Sequence, residues 1–342
     1  MARGDGQRVS GSGARAGTES LQCGVASLVC AILLGAMAGC PPKAVRVDDG
    51  VDAANARAEA QAALEAADRA EAERFIAACV AAQNERAEKL ASFEAFAAVR
   101  LRYTDADGQQ EDQLDGAIYL APGNKGAFDL KLLGQRWAWL GGDGAQSWVY
   151  LAPPKRPSVL HVYEKLVDGA ATDAEDVVGS AELTLLTPAS LRLLLGIGPI
   201  GRDAETVPVT AERGGVHERF AARFQPSRST VAEIQFAADG LPRLVVVRMR
   251  DGTEVVRASL GRFERVRLSD VAVGAWPSVA TSVVMEAARS KAGATILIDK
   301  ERLVESKRRA RPQFFDLGDL QAYLMPSEVV VHAAEAVGAG GP

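Results

Sequence analysis

Lys125–Leu151, KGAFDLKLLGQRWAWLGGDGAQSWVYL, is the stretch whose reading decides the fold. Phe128, Leu130 and Leu132 alternate with Ala127, Asp129 and Lys131, the period of two that gives a strand one apolar face. Gly134-Gln135 turns the chain into Arg136–Leu140, where Trp137 and Trp139 are expected on one face. Gly141-Gly142-Asp143-Gly144 then turns it into Gln146–Leu151, which carries Trp148 and Tyr150. Alternating runs joined by such short links are hairpin signals, so the stretch reads as an antiparallel meander.

The same pattern extends in both directions. Upstream, Phe93, Ala95, Ala97, Val99, Leu101 and Tyr103 alternate with Glu94, Arg100 and Arg102, and Asp105–Gly108 turns towards a strand at Leu114–Ala121. Downstream, a Pro-rich break at Pro153–Pro157 precedes a short run, Ser158–Glu164, and an acidic loop, Asp168–Asp176. Thr187-Pro188 opens a short helix that Gly196 stops, and its leucines 191, 193, 194 and 195 are apolar nearly all round, so something must cover it. Strands resume at Glu205–Thr210, Val216–Phe224, Ser229–Phe236, Leu241–Arg250, Thr253–Val266, Pro277–Ala287 and Ala294–Asp299. Asp239-Gly240 and Asp251-Gly252 are the hairpin turns about Leu241–Arg250. The sum is a mainly β (α+β) domain over residues 91–317, a curved antiparallel sheet or barrel of about ten or eleven strands that must cover its concave face.

Two flanks differ in kind. Residues 51–90 are alanine with Glu, Arg and Gln, a composition that favours helix. The first half offers almost no large apolar residue except Leu64, whereas Phe75, Ile76, Cys79 and Val80 supply one apolar side, so the segment reads as a solvated stalk running into a docking helix. Residues 318–342, Ala/Gly-rich towards their end, are expected to be a loose tail.

The N-terminus reads as an address. Val25–Cys40, VASLVCAILLGAMAGC, follows Arg3, Arg8 and Arg15 and is short of the ~20 apolar residues a membrane-spanning helix needs. Ala38-Gly39-Cys40 places two small residues before a cysteine, with Gly39–Cys40 the expected cleavage point and the Cys40 thiol the expected point of diacylglycerol attachment. It resembles a bacterial lipobox with Met37 in the usual leucine position. An ordinary secretory signal or a buried helix is the alternative. Residues 1–39 are thus assigned as signal peptide and 40–50 as spacer, and several palmitate-type chains on one cysteine would hold a membrane firmly. Pro41, in place of the aspartate associated with inner-membrane retention, favours the periplasmic face of the outer membrane.

Composition narrows the function classes. The formal net charge of −5 argues against nucleic-acid binding, which relies on a basic face. Of four cysteines, Cys23, Cys30 and Cys40 fall in the targeting segment, which leaves Cys79 alone and a fold that stands on burial. The three histidines, His161, His217 and His332, are scattered, and no HExxH, CxxC, GxSxG or phosphate-loop pattern occurs. His217 beside Glu218 reads as a surface pair. The glycines at 141, 142 and 144 have no helix after them and read as a turn, not a phosphate cradle. No enzyme, metal or cofactor is therefore expected. Arg302, Lys307, Arg308, Arg309 and Arg311 would either touch anionic lipid headgroups or form a solvated loop.

The residues left for function are apolar. Phe128, Leu130, Leu132, Trp137, Trp139 and Trp148, with Leu191, Leu194 and Leu195 of the mid-chain helix, are candidates to line a cavity that accepts acyl chains. Plain core is the alternative for both groups.

FEAFAAVRLRY (93–103), GAIYLAP (116–122), LKLLGQRWAWLGGDGAQSWVYLAPPK (130–155), the leucine helix, LPRLVVVRMRDGTEVVRASLGRFERV (241–266), WPSVATSVVMEA (276–287) and RPQFFDL (311–317) together resemble the LolA/LolB-like envelope lipoprotein carriers. That resemblance implies an incomplete antiparallel barrel of about eleven strands, capped by helices over a hydrophobic cavity that holds lipoprotein acyl chains. An anchor of its own makes the chain more similar to the lipidated LolB-like receptor than to the soluble carrier. The expected function is binding of acyl chains or another apolar ligand, in lipoprotein sorting or outer-membrane biogenesis. The alternative is a structural or signalling lipoprotein with a filled core and a protein partner.

Overall fold

A computed structural model describes residues 49–105, 108–152, 157–164, 188–209, 219–226, 230–288, 290, 292–303 and 312–332. The signal segment with Cys40, the acidic loop, Thr187, the His217–Glu218 pair and the basic residues 307–311 lie outside the described residues. Two compact units are distinguished, Met1–Ala60 and Gln61–Pro342. The first is described only through the opening turns of a helix, and the sheet with its covering elements belongs to the second.

That helix, α1, runs unbroken over Asp49–Lys89, two residues earlier than the spacer boundary read from sequence. Ala72, Ile76, Cys79, Gln83, Arg86, Ala87 and Leu90 are buried, a three-to-four spacing that gives one seated stripe, while nearly every described residue before Ala72 is exposed. The seated half begins where large side chains enter the sequence.

The strands are β1 (Phe93–Asp105), β2 (Gly108–Ala121), β3 (Lys125–Leu132), β4 (Gln135–Gly142), β5 (Gln146–Leu151) and β6 (Val159–Glu164). The short helix α2 (Pro188–Leu194) comes next, then β7 (Glu205–Pro208), β8 (Phe220–Phe224), β9 (Thr230–Phe236), β10 (Pro242–Met249), β11 (Glu254–Arg265), β12 (Ser278–Ala287) and β13 (Gly293–Ile298). Helix α3 (Leu317–Leu324) and β14 (Glu328–His332) close the described chain. All fourteen strands form one open sheet in the order β14-β6-β5-β4-β3-β2-β1-β13-β12-β11-β10-β9-β8-β7. Every pair is antiparallel except β14 with β6, which is parallel. The architecture is mainly β with few helices, as expected, but fourteen strands replace the expected eleven.

Of the expected loose tail, residues 318–332 carry a helix and a strand, and 333–342 lie outside the described residues. Residues 318–332 are ordered: Asp316 caps α3 by accepting from the Asp319 amide at 2.8 Å, and β14 lies along β6 with Val330 opposite His161. The run EVVVH is too short to register beside an Ala/Gly-rich end, yet an existing edge supplies its hydrogen bonds. The sheet domain therefore extends past residue 317.

Two apolar clusters lie on opposite faces of the sheet. The larger joins Phe93, Ala95, Val99, Leu114, Ile118, Phe128, Leu130 and Leu140 to residues of β8–β13, and α1 and α2 contribute Ile76, Leu90, Leu191, Leu194 and Leu195. The smaller is confined to β2–β6 and is covered by the C-terminal segment through Phe314, Phe315, Leu320 and Leu324.

Candidate functional site

The nine cavity candidates do not share one lining. Phe128, Leu130, Leu191, Leu194 and Leu195 are each 1 % exposed within the larger cluster, and Leu132 and Trp137 pack at its margin. Trp139 and Trp148, also 1 % exposed, belong to the smaller cluster on the other face. The expectation that Trp137 and Trp139 share a face is therefore corrected.

The cause is a β-bulge. Asp129 opposes Trp139 and Leu130 opposes Ala138, but the next pair is Lys131 with Arg136, which leaves Trp137 as the extra residue. An extra residue breaks the alternation, so side chains two positions apart part company. Trp137 goes to Tyr103, with ring centroids 6.2 Å apart. Trp139 goes to Tyr119 and Phe314, at 6.4 and 5.1 Å.

On the α1/α2 side, buried polar groups fix the cover. Gln83 Nε2 donates to the carbonyls of Gly196 and Gly198 at 3.0 and 2.8 Å. Asn84 Nδ2 donates to the Ile200 carbonyl at 3.2 Å, and the Ile200 amide donates to Asn84 Oδ1 at 2.7 Å. Arg192 of α2, 5 % exposed, donates to the carbonyls of Leu90, Ala91, Ala121 and Lys125 at 3.3, 2.9, 2.7 and 3.4 Å. Leu90 and Ala91 follow the C-terminus of α1, where unsatisfied carbonyls favour a cation. Burial pushes the Arg192 guanidinium down to about 10, still charged at neutral pH. Arg86, beside Gln83, is likewise lowered to about 10 by burial. Sequence reading passed over these groups. A lone arginine in an otherwise apolar turn was the available signal for Arg192.

The opposite face carries a filled aromatic box. Arg136 pairs with buried Asp129 through Nε and Nη2 at 2.8 and 3.1 Å. Its guanidinium lies 5.0 Å from the Trp139 ring and 4.9 Å from the Tyr323 ring. Although burial opposes it, the hydrogen bond to Asp129 leads a set of contacts that raise its pKa, so the charge is fixed.

Two of the three histidines, His161 and His332, come together; His217 lies outside the described residues. The parallel β6–β14 pair brings His161 Nδ1 to 3.2 Å from His332 Nε2, with Tyr163 stacked on His332 at 4.6 Å. Among the described residues no cluster of three or more His, Cys, Asp or Glu side chains is placed to hold a metal. The free thiol of Cys79 is buried and its pKa is pushed up to about 11, chiefly by burial. Among the described residues no helix is long and apolar enough to cross a membrane.

No family model and no curated protein matches the chain. Among solved structures it is similar to a LolA superfamily protein from Nitrosomonas europaea, at 12% identity and a TM-score of 0.35 over 64% of this chain and 90% of that one. It is also similar to a DUF1329 family protein from Desulfovibrio piger, at 9% identity and a TM-score of 0.41 over 72% and 99%. A third is a putative outer membrane lipoprotein-sorting protein domain from Vibrio parahaemolyticus, at 9% identity and a TM-score of 0.37 over 69% and 95%. Likeness at these scores carries no argument, and the functional reading rests on this chain's own residues.

Proposed function

We propose that the chain is a non-enzymatic envelope lipoprotein, anchored through acylated Cys40, that binds acyl chains or another apolar ligand on the sheet face beneath α1 and α2. One observation supports this most. The apolar face of β1–β6 and β8–β13 is continuous, and part of its cover is a seven-residue helix whose leucines are buried and whose C-terminal link turns through Gly196 at a left-handed φ of 68°. Moving so short an element uncovers apolar area at the cost of one helical turn or two and of the Arg192 hydrogen bonds to Leu90, Ala91, Ala121 and Lys125. An acyl chain placed there gains ~0.8 kcal/mol per buried methylene without needing polar partners. The outer membrane and a part in lipoprotein sorting belong to the same proposal. They are in keeping with the sequence resemblance.

A second reading has its own observation. Phe128, Leu130, Leu191, Leu194 and Leu195 are already 1 % exposed against one another and the rest of the cluster, which is how a filled core looks. On that reading the face is structural and the protein acts through a protein partner. Lipid mass spectrometry of the purified full-length protein, with displacement of a fluorescent fatty acid, separates the two. Co-purifying acyl species and saturable displacement are expected. A lipid-free protein that displaces nothing sinks the carrier reading.

A further inference from the structure

Eight large apolar side chains are exposed among the described residues, and four of them, Tyr323, Met325, Val329 and Val331, fall between positions 323 and 331. Their exposures are 47, 79, 43 and 58 %; Tyr323 packs on Trp139 and Arg136, whereas Val329 and Val331 stand on one face of β14 by its alternation. Met325 also holds a left-handed φ of 46° at the end of α3, a position that favours glycine.

β14 is the outermost strand of the sheet and pairs, among the described residues, with β6 alone. Among the described residues nothing pairs with the other side of its backbone. Sheet edges of this kind are ordinarily guarded by lysine, proline or a bulge. Glu328-Val-Val-Val-His332 contains neither lysine nor proline, and its register with β6 is unbroken.

We propose that this edge pairs antiparallel with the β14 strand of a second copy of the chain, with the two-fold axis at Val330. In that register Glu328 stands opposite the second copy's His332, and Val329 opposite its Val331. Both ends of the ribbon then set the Glu328 carboxylate across from an imidazole of the other copy, and the exposed valines meet each other. A slip of one residue either way sets Glu328 against Val331 or His332 against Val329, and moves every side chain off its match. The five residues are therefore complementary to themselves in one register, carboxylate to imidazole and valine to valine.

A lipid surface is the less fitting occupant. Open backbone N–H and C=O groups pushed into hydrocarbon cost several kcal/mol each, whereas a second strand satisfies them. The ribbon is small beside the ~1,000 Å² of a stable interface, so the dimer is a weak, concentration-dependent one.

The test uses the full-length chain in dilute detergent. Directly opposed Cα atoms in an antiparallel pair lie about 4.5–5.5 Å apart, within disulfide range. Val330→Cys is expected to oxidise to a covalent dimer at least about tenfold faster than Leu64→Cys, an exposed control on α1, and a mixture of Val329→Cys with Val331→Cys should cross-link faster than either alone. Analytical ultracentrifugation of the unmodified chain should show concentration-dependent dimer, weakened roughly tenfold or more by Val331→Lys. Cross-linking no faster than the control, with sedimentation untouched by Val331→Lys, overturns the proposal. So does a monomer that, with the anchor removed by Cys40→Ser, still floats with phosphatidylcholine vesicles and loses that affinity when Val331→Lys is added, since the edge would then be a membrane contact.

Discussion

His161 and His332 lie 171 positions apart in the chain and meet with Nδ1 and Nε2 3.2 Å apart. Burial first, and the neighbouring His332 second, hold the His161 pKa below the ordinary imidazole value, with Glu328 opposing. An imidazole lowered on folding takes its proton more readily in the unfolded chain. Stability is then fully present above the unfolded value of ~6.5 and is lost as the pH falls through the lower folded value. Urea midpoints should drop between about pH 7 and pH 5, and His161→Gln should flatten that stretch of the profile. An unmodified protein with a flat profile there would contradict the linkage.

Arg192 bridges three segments, so its loss should be felt beyond α2. Arg192→Met keeps the length of the side chain and removes every donor to the carbonyls of Leu90, Ala91, Ala121 and Lys125. Leaving buried carbonyls unpaired is expected to cost about 1–3 kcal/mol or more by denaturant unfolding. A loss below a few tenths would mean water replaces the guanidinium.

The two tryptophans parted by the bulge should respond differently. Trp139→Ala empties a fully buried position and is expected to cost about 3–5 kcal/mol. Trp137→Ala, at a half-buried position, should cost clearly less. Acrylamide should quench Trp137 more readily than Trp139 in proteins that retain one of the two with Trp148 and Trp276 replaced by Phe. Equal quenching would place both on one face after all.

Leu133 offers a gain of stability. It is 93 % exposed, at the β3–β4 turn, with a φ of 50°. A side chain in the left-handed region costs roughly 1–2 kcal/mol, and almost no buried area offsets it here. Leu133→Gly should raise stability by a few tenths to about 1 kcal/mol, read as a higher urea midpoint. A lower midpoint would show that the leucine makes contacts which compensate its backbone.

Which features were legible depends on how local their causes are. The hairpin turns were readable because glycine answers a purely local demand: Gly134, Gly240 and Gly252 all hold positive φ, at 78°, 73° and 88°. The period of two carried β1–β3 and β8–β13 for the same reason. The bulge at Trp137 was not readable, since no glycine marks it and the offset is set by pairing with β3. β14 was hidden because its partner is β6, far away in sequence, and nothing nearby announces a parallel strand. For the candidate site, the leucines of α2 were visible as an all-round apolar turn. Gln83, Asn84 and Arg192 were not, because their partners are backbone carbonyls and an amide that only the fold brings near.

The position of β1 has a consequence for how the molecule is made. β1 lies between β2 and β13, with Ala97 opposite Ile298. Every other antiparallel neighbour in the sheet is also a neighbour in chain order. Two locally wired halves are therefore joined by a single long-range seam, whose closure over about two hundred residues costs roughly 4–5 kcal/mol of chain entropy before any contact repays it. A chain emerging N-terminus first forms its early hairpins quickly and then waits, β1 bare along one side, until β13 arrives. The rate of folding is set at that seam, and interference with it is where misfolding begins.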